Sequence, residues 1–83
     1  MEIEWTETAL SDIAGVDKGI ALRVRQAVER FAEIGAGNVK RLQGVDPPDL
    51  RLRVGDYRVR FHNYGETVRV LRVRNFHYLY RSH

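Results

Sequence analysis

The fold of this chain follows from one stretch, residues 50–61, which reads LRLRVGDYRVRF. Apolar and polar residues alternate on both sides of Gly55-Asp56, a pattern that predicts two half-buried strands joined by a tight turn. The alternation sorts the side chains of this hairpin onto two faces. One face carries the apolar residues Leu52, Val54, Tyr57, Val59 and Phe61, and the other carries Arg51, Arg53, Arg58, Arg60 and His62.

The turn also predicts the register of the two strands. If Gly55-Asp56 is a two-residue loop, Arg53 lies opposite Arg58 and Arg51 lies opposite Arg60. Like charges in directly opposed positions destabilise a sheet, so four arginines arranged in this way need a reason. A bound polyanion is the simplest one. The alternatives are a solvated basic surface and arginines that protect exposed strand edges from pairing.

Composition limits the classes of protein to consider. A chain of 83 residues, 43% of them hydrophobic, is long enough for one small domain, which we place at residues 1–83. It has no cysteine and therefore no disulfide, which suits a reducing cytoplasm. No apolar run approaches the about 20 residues of a membrane span, and the acidic N-terminal residues are unlike a signal peptide. We therefore expect a cytoplasmic protein without a membrane anchor.

The charges are distributed unevenly along the chain. The net charge is only +3, but acidic residues concentrate before residue 34 and basic residues predominate from Lys40 onward. Most of the basic residues are arginines, whose planar forks match pairs of phosphate oxygens and remain charged. The C-terminal half is therefore predicted to carry a phosphate-binding face.

Two helices are predicted between the first strand and the hairpin. Thr6 is a suitable N-cap for a short helix over residues 7–14. Asp17 can cap a second helix, in which apolar residues recur with the 3.6-residue period of an amphipathic helix. Gly35 follows this helix where a C-cap glycine is expected.

The remaining segments predict strands and loops. Residues 1–5 alternate like a strand, and residues 36–49, with their glycines and prolines, are predicted to form a loop. Another strand is expected over residues 68–73, where a near-continuous apolar run suggests burial on both faces. The tail, residues 74–83, is predicted to add a short strand. The order predicts a two-layer α+β fold: an N-terminal strand, two helices on one face of the sheet, then an antiparallel meander of three to four strands.

Several short motifs are similar to those of a known family. Leu42-x-Gly44, residues 50–59, the run Val70-Leu71-Arg72-Val73 and a terminal Tyr80-Arg81 together resemble the RelE/ParE superfamily, the toxins of bacterial type II toxin–antitoxin pairs. The resemblance extends over nearly the whole chain, and the predicted order of elements agrees with it. It implies a RelE-like version of the two-layer fold.

The resemblance implies an RNA endonuclease of the RelE kind, which cuts messenger RNA in the ribosomal A site. In that reaction the ribose 2′-hydroxyl attacks the adjacent phosphate, and neither a metal nor another cofactor is needed. Groups on the toxin must remove the 2′ proton, stabilise charge on the phosphate and protonate the leaving 5′ oxygen. Carried over by position, the implied residues are Arg51, Arg53, Arg58 after the turn, and Tyr80 near the C-terminus.

One departure from the family pattern concerns the segment before Tyr80. The family commonly has an arginine where this chain has Phe76, and His77 follows it. Three interpretations are open. His77 takes part in acid–base chemistry, or Arg72 or Arg74 supplies the missing charge, or the site is weakened.

Other basic residues are expected to bind RNA without taking part in the chemistry. They are Lys40, Arg41, Arg60, Arg72 and Arg74. The three histidines are scattered and form no metal-binding motif, so no metal site is predicted.

The function implied first is therefore a ribosome-dependent mRNA endonuclease, held inactive by a cognate antitoxin in a toxin–antitoxin hetero-oligomer. Two alternatives remain. One is a ParE-type toxin that poisons DNA gyrase, and the other is a catalytically degenerate member that binds RNA. Because a basic surface attracts RNA generally, acidic residues of the antitoxin are expected to lie over the arginines.

Overall fold

The computed structural model describes residues 1–42, 44 and 47–75. The chain forms a strand, two helices and four further strands in sequence. Their bounds are β1 (Glu2–Trp5), α1 (Glu7–Ala14), α2 (Lys18–Ile34), β2 (Val39–Leu42), β3 (Asp49–Val54), β4 (Tyr57–Asn63) and β5 (Thr67–Asn75). The strands form one sheet in the order β1-β5-β4-β3-β2. β1 is parallel to β5, and the other neighbours are antiparallel. The predicted two-layer α+β fold is confirmed.

Both helices begin and end where the sequence predicts. The Thr6 hydroxyl accepts a hydrogen bond from the Ala9 N–H, and the Asp17 carboxylate accepts from the backbone of the first turn of α2. Gly35 ends α2 in the left-handed conformation, with φ of 69°. A side chain is strained in this conformation, and glycine adopts it without cost.

The predicted hairpin register is also confirmed. Arg53 pairs with Arg58 and Arg51 pairs with Arg60, on either side of the Gly55-Asp56 turn. The two strands therefore hold four arginines in directly opposed positions.

The prediction of a loop over residues 36–49 is wrong in two places. Residues 39–42 form β2, which pairs with β3 along the sheet edge, and Asp49 is already the first residue of β3. The reason is that β2 has only four residues and contains the adjacent charges of Lys40 and Arg41. Its own pattern is too short to indicate a strand, and it is held in place by pairing with β3.

The apolar run in β5 has a different cause from the one predicted. The register between β4 and β5 shifts between Arg60 and Phe61, so that Arg60 faces Arg72 and Phe61 faces Val70. Leu71 is the extra residue of this irregularity, which places two apolar residues side by side. The outward face of β5 is therefore charged and is not buried. The short strand predicted over residues 74–83 is described only at residues 74 and 75, which form the end of β5. Residues 76–83 lie outside the described residues.

The core lies between the helices and the inner face of the sheet. Phe61 is 1% exposed, and its ring lies 4.9 Å from that of Phe31 on α2. Tyr57, predicted on the apolar face of the hairpin, is half-buried and packs against this core, and so does Trp5 of β1. Within the described ranges, neither helix is long and apolar enough to cross a membrane. Because the apolar residues of β3 and β4 face the helices, their arginines project from the opposite face.

Candidate nucleic-acid interface

Cations form two rows across the outward face of the sheet. The strand registers align Lys40 with Arg51, Arg51 with Arg60, and Arg60 with Arg72, so that one row crosses four strands. The second row crosses three strands and consists of Arg53, Arg58 and Arg74. Side chains in directly opposed positions have Cβ atoms about 5 Å apart. The face therefore concentrates positive charge at a spacing that a chain of phosphates could match.

Three carboxylates neutralise part of this face. Glu4 lies 2.8 Å from the Nε of Arg69, and both partners are largely exposed. Asp49 and Asp12 form the other two ion pairs, with Arg60 and Arg72 respectively. Each of these two accepts hydrogen bonds from two nitrogens of its guanidinium, which is a stronger arrangement than a single contact.

Asp49 is the buried partner in the ion pair with Arg60, in which two guanidinium nitrogens donate to its carboxylate. It is 3% exposed, and its Oδ2 accepts hydrogen bonds from Nε of Arg60 at 3.1 Å and from Nη2 at 2.8 Å. The hydrogen bond to Asp49 raises the pKa of the Arg60 guanidinium. His62 lies beside the pair, with Nε2 4.0 Å from the same carboxylate oxygen. The charge of Arg60 is thus largely balanced within the protein.

Asp12 reaches the sheet from α1. Its carboxylate accepts from Arg72 at 2.8 and 3.2 Å and from the Val73 N–H at 2.9 Å. Burial raises the pKa of Asp12, but the hydrogen bonds from Arg72 and Val73 and the charges of Arg72 and Arg74 outweigh this effect. The pKa of Asp12 is therefore below its ordinary value. Asp12 remains ionised and balances Arg72.

The remaining cations are grouped near β2 and the hairpin turn. Within the described part of the chain, Lys40, Arg51, Arg53 and Arg74 form no salt bridge. Arg58 lies between Arg53 and Arg74 in the second row. We call these five residues the cation patch. Because it concentrates five cations, four of which lie outside the ion pairs of the described residues, the patch is the part of the face best suited to bind a polyanion.

Arg58 is oriented by the turn that precedes it. Its Nη1 donates hydrogen bonds to the carbonyl oxygens of Gly55 at 3.2 Å and Tyr57 at 3.1 Å. The residue is half-buried, and two backbone carbonyls direct its guanidinium. Such preorganisation is what a group that stabilises a developing charge requires.

The structure brings together some of the predicted site residues and separates others. Arg51, Arg53, Arg58, Lys40 and Arg74 form the cation patch, whereas Arg60 and Arg72 are held in ion pairs. Arg41 faces Leu50 in the register and lies on the opposite side of β2 from Lys40. His77 and Tyr80 lie outside the described residues. Among the residues that the structure describes, no three histidines or carboxylates are grouped as potential metal ligands.

Two carboxylates that shape the patch, Asp12 and Asp49, were not predicted from the sequence. Asp49 could have been found, because it continues the period-two alternation of Arg51 and Arg53 backward along β3. Asp12 is 60 residues from Arg72 in the chain and lies on a helix. No local pattern connects the two.

Comparison with known proteins gives one family and several related folds. The family model of the ParE toxin of type II toxin–antitoxin systems, parDE, matches residues 3–76. A search of curated proteins gave no match. Similar solved structures are toxin–antitoxin complexes from three organisms, and their sequence identities are low enough that they show the fold alone.

The three structures cover most of this chain. The RelB–RelE antitoxin–toxin complex of Methanococcus jannaschii has a TM-score of 0.74 and 22% identity, covering 94% of this chain and 95% of its own. The RelE–RelB complex of Pyrococcus horikoshii gives 0.75 and 16%, with 90% and 93% covered. The RelBE2 toxin–antitoxin complex of Mycobacterium tuberculosis gives 0.67 and 24%, with 89% and 95% covered.

Proposed function

Because the chain belongs to the ParE toxin family of type II toxin–antitoxin systems, we propose that its toxic activity is ribosome-dependent cleavage of messenger RNA. The observation that carries the proposal is the cation patch. A group of arginines concentrated on one sheet face is suited to phosphates, and the fold is shared with the RelE chains of the solved complexes. The site of action is the cytoplasm, where messenger RNA is translated.

The proposed reaction is attack by a ribose 2′-hydroxyl on the adjacent phosphorus. The 2′ oxygen forms a bond to phosphorus, the bond from phosphorus to the 5′ oxygen breaks, and the products are a 2′,3′-cyclic phosphate and a 5′-hydroxyl. Negative charge on the phosphoryl oxygens increases in the transition state. Groups that already point at the position of this charge supply the largest stabilisation.

In this proposal Arg58 binds the reacting phosphate. The carbonyls of Gly55 and Tyr57 orient its guanidinium before the RNA arrives. Arg51 and Arg53 lie on the neighbouring strand and bind the same phosphate or the next one. His77 and Tyr80 are proposed to transfer the protons, one from the 2′-hydroxyl and one to the 5′ oxygen.

The proposed partner is a cognate antitoxin. The three similar solved structures are complexes of a toxin with its antitoxin, and the family belongs to systems made of such pairs. We propose that the antitoxin forms a hetero-oligomer with this chain and neutralises it. An uncovered patch would attract RNA in general, so the antitoxin is expected to contribute acidic residues.

The test is inducible expression of the chain alone in bacterial cells, with mapping of new 5′ ends within translated reading frames. Cuts that require ongoing translation are the expected result. An Arg58→Ala variant should cut about 100-fold more slowly, since it loses one transition-state contact of about 3 kcal/mol. Arg25→Ala, an exposed arginine of α2, is the matched control and should behave as wild type. Full activity in the Arg58→Ala variant contradicts the assignment.

A second candidate, poisoning of DNA gyrase, is favoured by two observations. The matching family model is that of the ParE toxin, and Phe76 stands where RelE-type toxins commonly have an arginine. Induction of a DNA-damage response while messenger RNA remains intact supports this candidate. Growth arrest with neither effect excludes both.

A further inference from the structure

Two aromatic rings and an arginine contact one another at the end of the outward face that is farthest from the Gly55-Asp56 turn. His62 alternates with the buried Phe61 of β4 and pairs with Arg69 of β5, so both side chains project outward. The ring of Tyr64, in the turn between these strands, lies 6.1 Å from the His62 ring at 79° to it. The guanidinium carbon of Arg69 lies 5.3 Å from the centre of the Tyr64 ring, where cation and ring attract each other. We call His62, Tyr64 and Arg69 the aromatic cluster.

Tyr64 is exposed to solvent and yet held in place. The residue is 47% exposed, but its backbone N–H donates to the carbonyl of Thr67 at 2.9 Å, which fixes the turn. Arg69, which contacts its ring, is itself held by Glu4 of β1 at 2.8 Å. An exposed aromatic ring that is already fixed loses little conformational freedom when a ligand packs against it. The cluster is therefore preorganised for a flat ligand.

The charges at this end of the face differ from those of the cation patch. Glu4 balances the charge of Arg69, and the exposed carboxylates of Glu2 and Glu66 lie on the first residue of β1 and next to β5. A phosphate therefore gains little here. A nucleobase is neutral and planar, and each of the four bases has a π face that can stack on an aromatic side chain. The aromatic cluster fits an unpaired base better than a phosphate.

The aromatic cluster is continuous with the cation patch along β4. His62 follows Arg58 by four residues on the same strand and the same face, a distance of about 13 Å. Arg60 lies between them, on the same face. A single strand of RNA whose phosphates lie on the patch can therefore bring a base to Tyr64 within a few nucleotides, without leaving the face of the sheet.

We propose that the aromatic cluster is a base-binding site, in which Tyr64 stacks on an unpaired base of the RNA whose phosphates lie on the cation patch. The inference rests on the proposed function, since it adds a second contact to the same substrate. Stacking tolerates every base. The site therefore contributes affinity and fixes the position of the strand along β4, and it does not select a sequence.

The test measures binding of two short labelled oligonucleotides to the purified full chain. One is an oligouridylate, and the other has the same sugars and phosphates but lacks the bases. Tyr64→Ala should bind the oligouridylate about fivefold or more weakly than the wild type, because one stacked base is lost. Its affinity for the abasic oligonucleotide should equal that of the wild type. The slope of log affinity against log salt should also be unchanged, since no phosphate contact is removed.

Three further variants separate stacking from other roles of Tyr64. Tyr64→Phe retains the ring and should bind as the wild type, whereas Tyr64→Leu fills similar space without a ring and should show the same loss as Tyr64→Ala. Leu22→Ala, at an exposed apolar position of α2, is the matched control and should bind as the wild type. Wild-type affinity in Tyr64→Leu would overturn the proposal. So would an equal loss for the abasic oligonucleotide, since the ring would then support the fold and would not contact a base.

Cleavage assays on the same proteins separate this proposal from the proposed function. Base-dependent binding through Tyr64 by a wild-type chain that cuts no messenger RNA would reject the nuclease and leave the base-binding site established. Cleavage by a chain whose RNA affinity does not depend on Tyr64 would reject the base-binding site alone.

Discussion

Arg72 of β5 is held by Asp12 of α1 through two hydrogen bonds, at 2.8 and 3.2 Å. The same carboxylate accepts the Val73 N–H. β1 pairs with β5 only as far as Val70. Beyond that residue, at the same edge of β5, the Asp12 carboxylate replaces β1 as the hydrogen-bond acceptor. The contact therefore both fixes α1 against the sheet and balances the charge of Arg72. It is one reason why the cation patch lies toward β2 and the hairpin turn.

The first prediction concerns how the free energy of unfolding decreases at acidic pH. Because the pKa of Asp12 in the folded state is below its ordinary value, its contribution to stability is complete above the unfolded pKa of about 3.9. The contribution is lost as pH falls through the lower, folded value. Asp12→Asn should cost about 1–2 kcal/mol at neutral pH, since Arg72 remains partly hydrated. It should also flatten the loss of stability below about pH 4.

Urea denaturation at a series of pH values measures both effects. Glu29→Gln, which removes an exposed carboxylate of α2, is the control and should retain the wild-type slope. An Asp12→Asn variant whose stability falls with acid as steeply as the wild type would show that other carboxylates cause the loss.

The second prediction concerns the start of α1. The Thr6 hydroxyl accepts from the Ala9 N–H at 3.2 Å and donates to the Val70 carbonyl at 2.8 Å. Thr6→Ala removes the N-cap and a contact with β5, and should lower the free energy of unfolding by about 1–2 kcal/mol. Thr8→Ala, at an exposed position within the same helix, should change it by less than about 0.5 kcal/mol. Thermal unfolding followed by circular dichroism compares the two, and equal losses would reject the capping role.

The sequence predicts the hairpin well because its signals are local. The period-two alternation and the Gly55-Asp56 turn together determine which face each arginine occupies and which residue it opposes. The helix caps are local in the same sense, since Thr6 and Asp17 satisfy donors within the next three residues. For these elements, short-range pattern and final structure agree.

The features that the sequence did not predict depend on contacts between distant segments. β2 is a strand because β3 pairs with it, and its own four residues are a weak signal. The register shift opposite Arg60 depends on how β5 meets β4. Asp49 balances the charge of Arg60 and Asp12 balances that of Arg72. Asp12 lies on α1, in the helical layer of the fold. The basic residues of the sheet could therefore be identified from the sequence, whereas the structure was required to show which of them Glu4, Asp12 and Asp49 hold in ion pairs.

The third prediction tests that division through the salt dependence of RNA binding. Each phosphate contact to a single strand contributes about 0.7 to the slope of log affinity against log salt. Arg51→Gln should reduce the slope by about this amount, because Arg51 belongs to the cation patch. Glu4→Gln/Arg69→Gln removes an exposed ion pair without changing the net charge and should leave the slope unaltered. Fluorescence anisotropy with a single-stranded RNA measures it, and equal reductions would show that paired cations bind as well.

The fourth prediction tests whether cleavage requires the forked guanidinium of Arg58 or only its positive charge. Arg58→Lys retains the positive charge, so RNA affinity and its salt slope should remain close to those of the wild type. Lysine cannot donate in a fork, however, and it cannot be held by the carbonyls of Gly55 and Tyr57 while it also binds a phosphate in two places. Cleavage should therefore fall by about tenfold or more in Arg58→Lys, and by about 100-fold in Arg58→Ala.

The matched control for this prediction is Arg51→Lys in the opposite strand. Among the described residues, no hydrogen bond orients the Arg51 side chain, so its role depends on charge and the lysine variant should cleave at nearly the wild-type rate. Single-turnover cleavage on programmed ribosomes compares the two variants, with RNA affinity measured in parallel. If Arg58→Lys cleaves as fast as Arg51→Lys, positive charge alone is sufficient at residue 58. The hydrogen bonds at the turn would then serve the hairpin and have no part in the reaction.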